Sequence, residues 1–138
     1  MDNDIVAKAD EVIKSLLKRD KFGNLKKDKF GNLILDLKTN QIRKFLRAVN
    51  TVTGKIEIYR AKHDLTNQLP DELASEVKFL KVKIAYQAGR DWDVKNFVQK
   101  SELITMIDNI GNSVERYEEF ARYVEALVAY HKFYGGKD

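Results

Sequence analysis

The sequence predicts an all-α protein, a compact bundle of five or six helices, on three observations. Apolar residues recur every three to four positions in successive segments, and no segment alternates at period two for long enough to make a central strand. Pro70, Gly89, Gly111 and the Gly135-Gly136 pair punctuate those segments. With 138 residues, 43% of them apolar and 33% charged, the chain is one helical domain, 1–138, large enough to bury a core without disulfides or a metal.

From Asp4 to Arg19, Ile5, Ala9, Val12 and Leu16 share a side with Val6 and Ile13, which predicts the first helix. Asp2 and Asp4 stand near its positive end and Lys18 and Arg19 near its negative end, as the macrodipole favours. Asp-Lys-Phe-Gly-Asn-Leu follows twice, from Asp20 and from Asp28. Two copies so closely spaced cannot stack as a solenoid, so residues 20–38 read as a mobile loop or hairpin with Gly-Asn turns. Thr39 caps a second helix of about 37 Å, at about 1.5 Å per residue, with Gly54 its one weak point. Ile42, Phe45, Leu46, Val49, Val52, Ile56 and Tyr59 fall on one side of it.

Pro70 with Asp71 and Glu72 opens a third helix, closed at Gly89. Leu73, Val77, Leu80, Ile84 and Ala88 form one apolar stripe on it, and Phe79, Val82 and Tyr86 form another on the far side. Two stripes imply two neighbours. A central place in the bundle is the commoner explanation, and contact with another subunit is the alternative. Asp91-Trp-Asp turns into a short helix near Val94, with Trp92 packed over a helix junction, and Ser101 to Ile110 makes another short helix, ended by Gly111. Asn112-Ser-Val-Glu115 has the form of a capping box for a last helix from about Ser113 to Tyr134. Its second half, with Tyr123, Leu127, Tyr130 and Tyr134, is apolar on most sides.

Cysteine is absent, which excludes thiol catalysis, disulfide frameworks, zinc ribbons and iron-sulfur clusters and fits a reducing cytoplasm. No apolar run approaches the roughly 20 residues a membrane span needs, and the first residues, Met1-Asp-Asn-Asp, lack a signal peptide's pattern. A cytoplasmic protein without membrane contact is expected. The two histidines, His63 and His131, have no metal-binding spacing, and Walker, nucleotide, esterase and EF-hand motifs are missing. Glu118 and Glu125 flank Arg122 in what reads as a surface ion-pair ladder. No enzymatic activity and no cofactor are expected.

Binding is better supported, because the net charge of +4 is unevenly placed. Between Thr39 and His63, Arg43, Lys44, Arg47, Lys55, Arg60 and Lys62 face one acid, Glu57, so this stretch carries +5 and the rest of the chain sums to −1. A positive helix face on a near-neutral body suits a polyphosphate, with Gln41, Asn50 and Thr51 beside it as neutral donors. Lys83 and Arg90 add charge next to Tyr86. No base-reading motif is present, so contact with a nucleic-acid backbone would be independent of sequence. The other reading open at this point is a homo-oligomeric helical interaction module whose basic helix binds an acidic partner.

Leu80-Lys-Val-Lys-Ile-Ala-Tyr-Gln-Ala-Gly-Arg90, Phe97-Val-Gln-Lys100 and Tyr123-Val-Glu-Ala-Leu-Val-Ala-Tyr-His-Lys132 resemble the small subunit of the type III-A (Csm) CRISPR effector complex. Thr39 with Ile42-Arg-Lys-Phe-Leu46 is similar to that family's second-helix opening, and the likeness spans roughly 37 to 134. The resemblance implies a non-catalytic helical subunit, present in several copies in an antiviral ribonucleoprotein. Its implied partners are guide RNA, target RNA, the other subunits of the complex and copies of itself. Arg43, Arg47, Lys81, Lys83 and Arg90 match basic positions of the family's motifs, and Lys44 and Lys55 join them as candidate RNA contacts. Phe79, Val82, Tyr86, Tyr130 and Tyr134 are the candidate subunit contacts.

Overall fold

Six helices are present among residues 4–138, which the computed structural model describes: α1 (Asp4–Leu16), α2 (Thr39–Ala61), α3 (Asp71–Arg90), α4 (Trp92–Ser101), α5 (Leu103–Asp108) and α6 (Val114–Phe133). Asp2 lies outside the described residues. Strand-like pairing is limited, among these residues, to isolated bridges. The all-α class follows from the helical period as expected, and no described helix is long and apolar enough to cross a membrane.

The arrangement is centred on α6, which packs against α1, α2 and α5. Tyr117, Phe120, Tyr123, Val124, Leu127 and His131 are all buried on it, more than one stripe can account for, so α6 meets neighbours on several sides. On α2, Ile42, Phe45, Val49, Val52 and Ile56 are buried, and α3 adds Leu73, Val77, Leu80 and Ile84 from the flank away from α6. Phe45 stacks on Phe97 of α4, with ring centroids 6.0 Å apart.

Three buried polar tips on α6 find partners in other parts of the chain. Tyr117 Oη donates to Val49 O at 2.8 Å and lies 2.9 Å from Thr53 Oγ1. Tyr123 Oη donates to Ser101 O at 2.9 Å, and His131 Nε2 stands 2.6 Å from Leu37 O. A carbonyl only accepts, so His131 carries its proton on Nε2. Burial raises the Tyr117 phenol to about 12 and, with Leu37 O only partly opposing it, holds the His131 imidazole below its usual value.

Several helix ends differ from the sequence expectation, each for a local reason. α1 stops at Leu16 and not at Arg19, because Lys18 N donates to Ile34 O and Leu17 and Arg19 enter bridges, and the helix expected from Ser101 to Ile110 is confined to Leu103–Asp108, after the left-handed Glu102. Lys38, not Thr39, is the extended residue before α2, with its N–H held by Gln41 Oε1 at 2.9 Å. Thr39 is already helical, and its N–H donates to Lys137 O at 3.0 Å. α3 runs through Gly89 to Arg90, because the Asp91 carboxylate accepts from Asp93 N and Val94 N and starts α4 at once. Ser113 rather than Asn112 caps α6, accepting from Arg116 N at 3.1 Å. Asn112 is held in an extended connection, where its carbonyl accepts from Leu69 N at 2.7 Å and Val114 N donates to Asn67 O at 3.0 Å.

The repeated hexapeptide forms two turns of one design. Asp20 Oδ1 accepts from Phe22 N at 2.8 Å and Asn24 N at 3.0 Å, and Asp28 Oδ1 accepts from Phe30 N and Asn32 N at the same distances. Gly23 and Gly31 both have φ of 84°, which glycine adopts without strain. Bridges between Arg19 and Leu25 and between Lys27 and Leu33 close the turns, and Leu17 with Leu35 closes the segment around them.

The chain end comes back to the start of α2. Gly136 lies so closely over the buried His131 ring that a Cβ there would overlap Cε1 and Nδ1. Lys137 Nζ pairs with Asp28 at 2.9 Å, and Tyr134 Oη donates to Asp10 at 2.5 Å.

Gly136→Ala is therefore expected to cost about 1–3 kcal/mol of unfolding free energy through overpacking, read by denaturant titration at pH 7.5. A second expectation concerns pH. Because the folded state holds the His131 pKa down, the unfolded chain takes up a proton first as pH falls below about 6.5, and stability falls with it. His131→Gln keeps a donor for Leu37 O and cannot titrate. It should lose less stability than the parent between pH 7.5 and 5.5.

Candidate nucleic-acid interface

Because α2 buries one side against α6 and α3, its basic residues are forced outward. Arg43, Lys44 and Arg47 are exposed, and none of the three forms an ion pair among the described residues. Their neighbours on the helix are more committed. Lys55 pairs with Glu76 of α3 at 2.7 Å. Arg60 donates to Thr66 O and Leu65 O at 2.7 and 2.9 Å and lies 3.6 Å from Glu118.

α2 and α3 run antiparallel, with Lys44 opposite Tyr86 and Lys55 opposite Glu76. Between them is a groove of about 370 Å³, walled by Lys44, Ala48, Phe79, Val82, Lys83 and Tyr86. Lys83 Nζ is 6.0 Å from the Phe79 centroid, and the Arg90 guanidinium is 5.4 Å from that of Tyr86. The groove thus carries cations beside aromatic faces.

Lys44 and Lys83 line this groove, Arg90 stands against its Tyr86, and Arg43 and Arg47 are exposed on α2 beside Lys44. Lys81 is elsewhere, on the α5 side of α3, bound to Asp108 at 2.5 Å. Two of the neutral donors are spent internally: Gln41 Nε2 donates to Asp91 at 3.1 Å, and Thr51 Oγ1 to Arg47 O at 3.1 Å. Glu118 pairs with Arg60 at 3.6 Å, and among the described residues Arg122 forms no ion pair with Glu118 or Glu125.

The second stripe of α3 is not covered by the bundle. Phe79, Val82 and Tyr86 are 55%, 52% and 62% exposed, so a central position for α3 is incorrect. Its outer flank meets solvent because α2, α4 and α5 occupy the others. Trp92 is also exposed, at 69%, and packs over no junction. α4 buries Val94, Phe97, Val98 and Ser101, and Trp92 lies two positions from that stripe, about 200° around the helix. Tyr130 and Tyr134 are half-buried and stack on each other, with centroids 6.3 Å apart. Sequence reasoning missed Ile58, Phe22, Phe30 and Phe133 as exposed apolar side chains. For Ile58 the signal was present, since it stands two positions from buried Ile56.

A family model described as Csm2 Type III-A matches residues 20–137. The chain belongs to that family. It is 36% identical over 137 residues to a Streptococcus thermophilus protein named CRISPR system Cms protein Csm2, covering 99% of this chain and 96% of that one. A protein of the same name from Mycobacterium tuberculosis (strain ATCC 25618 / H37Rv) is 35% identical over 103 residues, 75% of this chain and 79% of the relative. One from Enterococcus italicus is 35% identical over 100 residues, 71% and 68%. The Csm2 match begins at residue 20, so it includes both copies of the hexapeptide, upstream of the span that carries the motif resemblance.

The exposures give a direct contrast. Phe97→Ala, at a buried ring, should cost about 3–5 kcal/mol. Phe79→Ala and Trp92→Ala should each stay within about 0.5 kcal/mol of the parent, compared by urea unfolding.

Proposed function

We propose that this chain is the non-catalytic small subunit of a type III-A CRISPR ribonucleoprotein effector. It holds the backbones of guide RNA and target RNA without reading their sequence, and packs in several copies along the complex. Membership of the Csm2 family supports the place in the complex. The observation that carries the RNA contact is the trio Arg43, Lys44 and Arg47, exposed on one helix and without internal acids. Such a surface costs self-repulsion in the free protein and is offset by a polyanion.

The non-catalytic reading is supported by how the imidazoles are used. His131 is buried on Leu37 O, and His63 Nδ1 lies 2.8 Å from Tyr59 O with its ring stacked on Tyr59. Packing of copies is supported by the uncovered stripe Phe79, Val82 and Tyr86, since contiguous apolar surface on a small domain marks contacts. The bundle's composition and place in the family fit a cytoplasmic particle.

Arg43→Glu with Arg47→Glu tests the RNA contact. Affinity for unrelated duplex RNAs should fall alike, because phosphates look the same whatever the base. Each phosphate no longer neutralised should reduce the slope of log affinity against log salt by roughly 0.7 to 0.9. Unchanged affinity and slope, in the free subunit and in the assembled particle, would transfer the basic face to an acidic protein partner.

A further inference from the structure

We propose that the tandem turns formed by residues 20–25 and 28–33 are a second RNA contact, at which Phe22 and Phe30 stack on the bases of unpaired nucleotides. This rests on the reading of the chain as an RNA-binding subunit but uses a different surface and a different chemistry.

The two rings are presented identically. Phe22 is 78% exposed and Phe30 74%, each at the tip of a turn fixed by the same pair of N–H bonds to an aspartate. Each carries the ammonium of the lysine before it over one face, Lys21 Nζ at 5.3 Å and Lys29 Nζ at 5.2 Å from the centroid. The turns are also held to a common base. Lys26 N donates to Lys18 O and Lys18 N to Ile34 O, both at 2.9 Å, while Leu17 and Leu37 are buried beneath. The rings are therefore displayed on a prepared scaffold, so little ordering entropy is lost when a ligand arrives.

The charge around them selects the occupant. Lys21 and Lys29 stand over the rings, and Lys26 and Lys27, in the link between the two turns, form no ion pair among the described residues. Asp20 and Asp28 are engaged: both carboxylates accept turn N–H groups, and the Asn32 N–H, followed by Lys137, brings the Asp28 pKa down to about 2. Alternating exposed rings and free cations suit successive bases and phosphates of a single strand. A second copy of this chain is the poorer occupant. Its apolar groove is walled by Lys44 and Lys83, which would repel the lysines of the turns.

The test compares a single-stranded oligouridylate with a fully paired RNA duplex, by anisotropy across a salt series. Phe22→Ala with Phe30→Ala should lower single-strand affinity roughly fivefold or more for each ring, leaving the salt slope and duplex affinity unchanged. Phe22→Tyr with Phe30→Tyr should restore it, because the ring face is kept. Lys26→Ala with Lys27→Ala should reduce the single-strand slope by about 0.7 for each phosphate no longer held. Single-strand affinity of the alanine pair equal to the parent's overturns the proposal, as does a parent that does not bind the oligouridylate. Abolished self-association in sedimentation with RNA affinity intact assigns the turns to protein contact instead. If Arg43→Glu with Arg47→Glu still weakens duplex binding in those cases, the backbone-holding reading stands and only this one falls.

Discussion

The fold depends on the need of three buried polar tips on α6 for acceptors that α6 itself cannot supply. A phenol or imidazole proton left unpaired in a dry core costs about 1–3 kcal/mol, so Tyr117, Tyr123 and His131 fix where other carbonyls must lie. The acceptors are Val49 in the middle of α2, Ser101 at the end of α4 and Leu37 before α2. Apolar packing alone would allow α6 to slide or rotate against its neighbours. These bonds set its register, and with it the angle at which α2 faces outward.

The basic surface is a consequence of that angle. Val49 presents its carbonyl to Tyr117 with Ile42, Phe45 and Val52 turned inward, which leaves Arg43 and Arg47 exposed. Several other lysines are matched with acids, as in Lys8 with Glu102, Lys55 near the far end of α2 with Glu76, and Lys81 with Asp108. Exposed pairs of this kind add little stability. Their main effect is on the field: each cancels a positive charge locally, and Arg43, Lys44 and Arg47 carry no such counter-charge among the described residues.

Most of this was legible in the sequence where periodicity decides the outcome. The buried residues of α2 and the first stripe of α3 follow from spacing alone. Helix ends were less legible, because a cap depends on what else competes for the residue. Asn112 and Ser113 are both good caps, and the pairing of Asn112 O with Leu69 N, a contact between distant parts of the chain, makes the choice. Trp92 and the second stripe of α3 were misread for another reason. Residue type argues for burial, but a helix at the edge of a bundle has only so many covered sides. Of the basic positions, the exposure of Arg43, Lys44 and Arg47 follows from the α2 period, whereas nothing in the sequence tells that Lys81 faces Asp108. The repeat was visible at once, yet the exposure of Phe22 and Phe30 required the turns to be seen in place.

The position of α6 also bears on how the polypeptide is made. α1 and α2 cover their apolar faces against a helix that the ribosome delivers late: Asp10 waits for Tyr134, 124 residues on, and Leu37 for His131, 94 residues on. Until α6 leaves the exit tunnel, the sides of α1 and α2 that it covers stay bare, although α3 and α4 are already made, and non-local contacts of this kind slow folding. Their uncovered faces are the sort that chaperones hold and that aggregate when synthesis outpaces collapse. Completion of the core thus waits for α6, and a chain stalled before residue 114 would display the side of α2 that α6 covers together with its full positive charge.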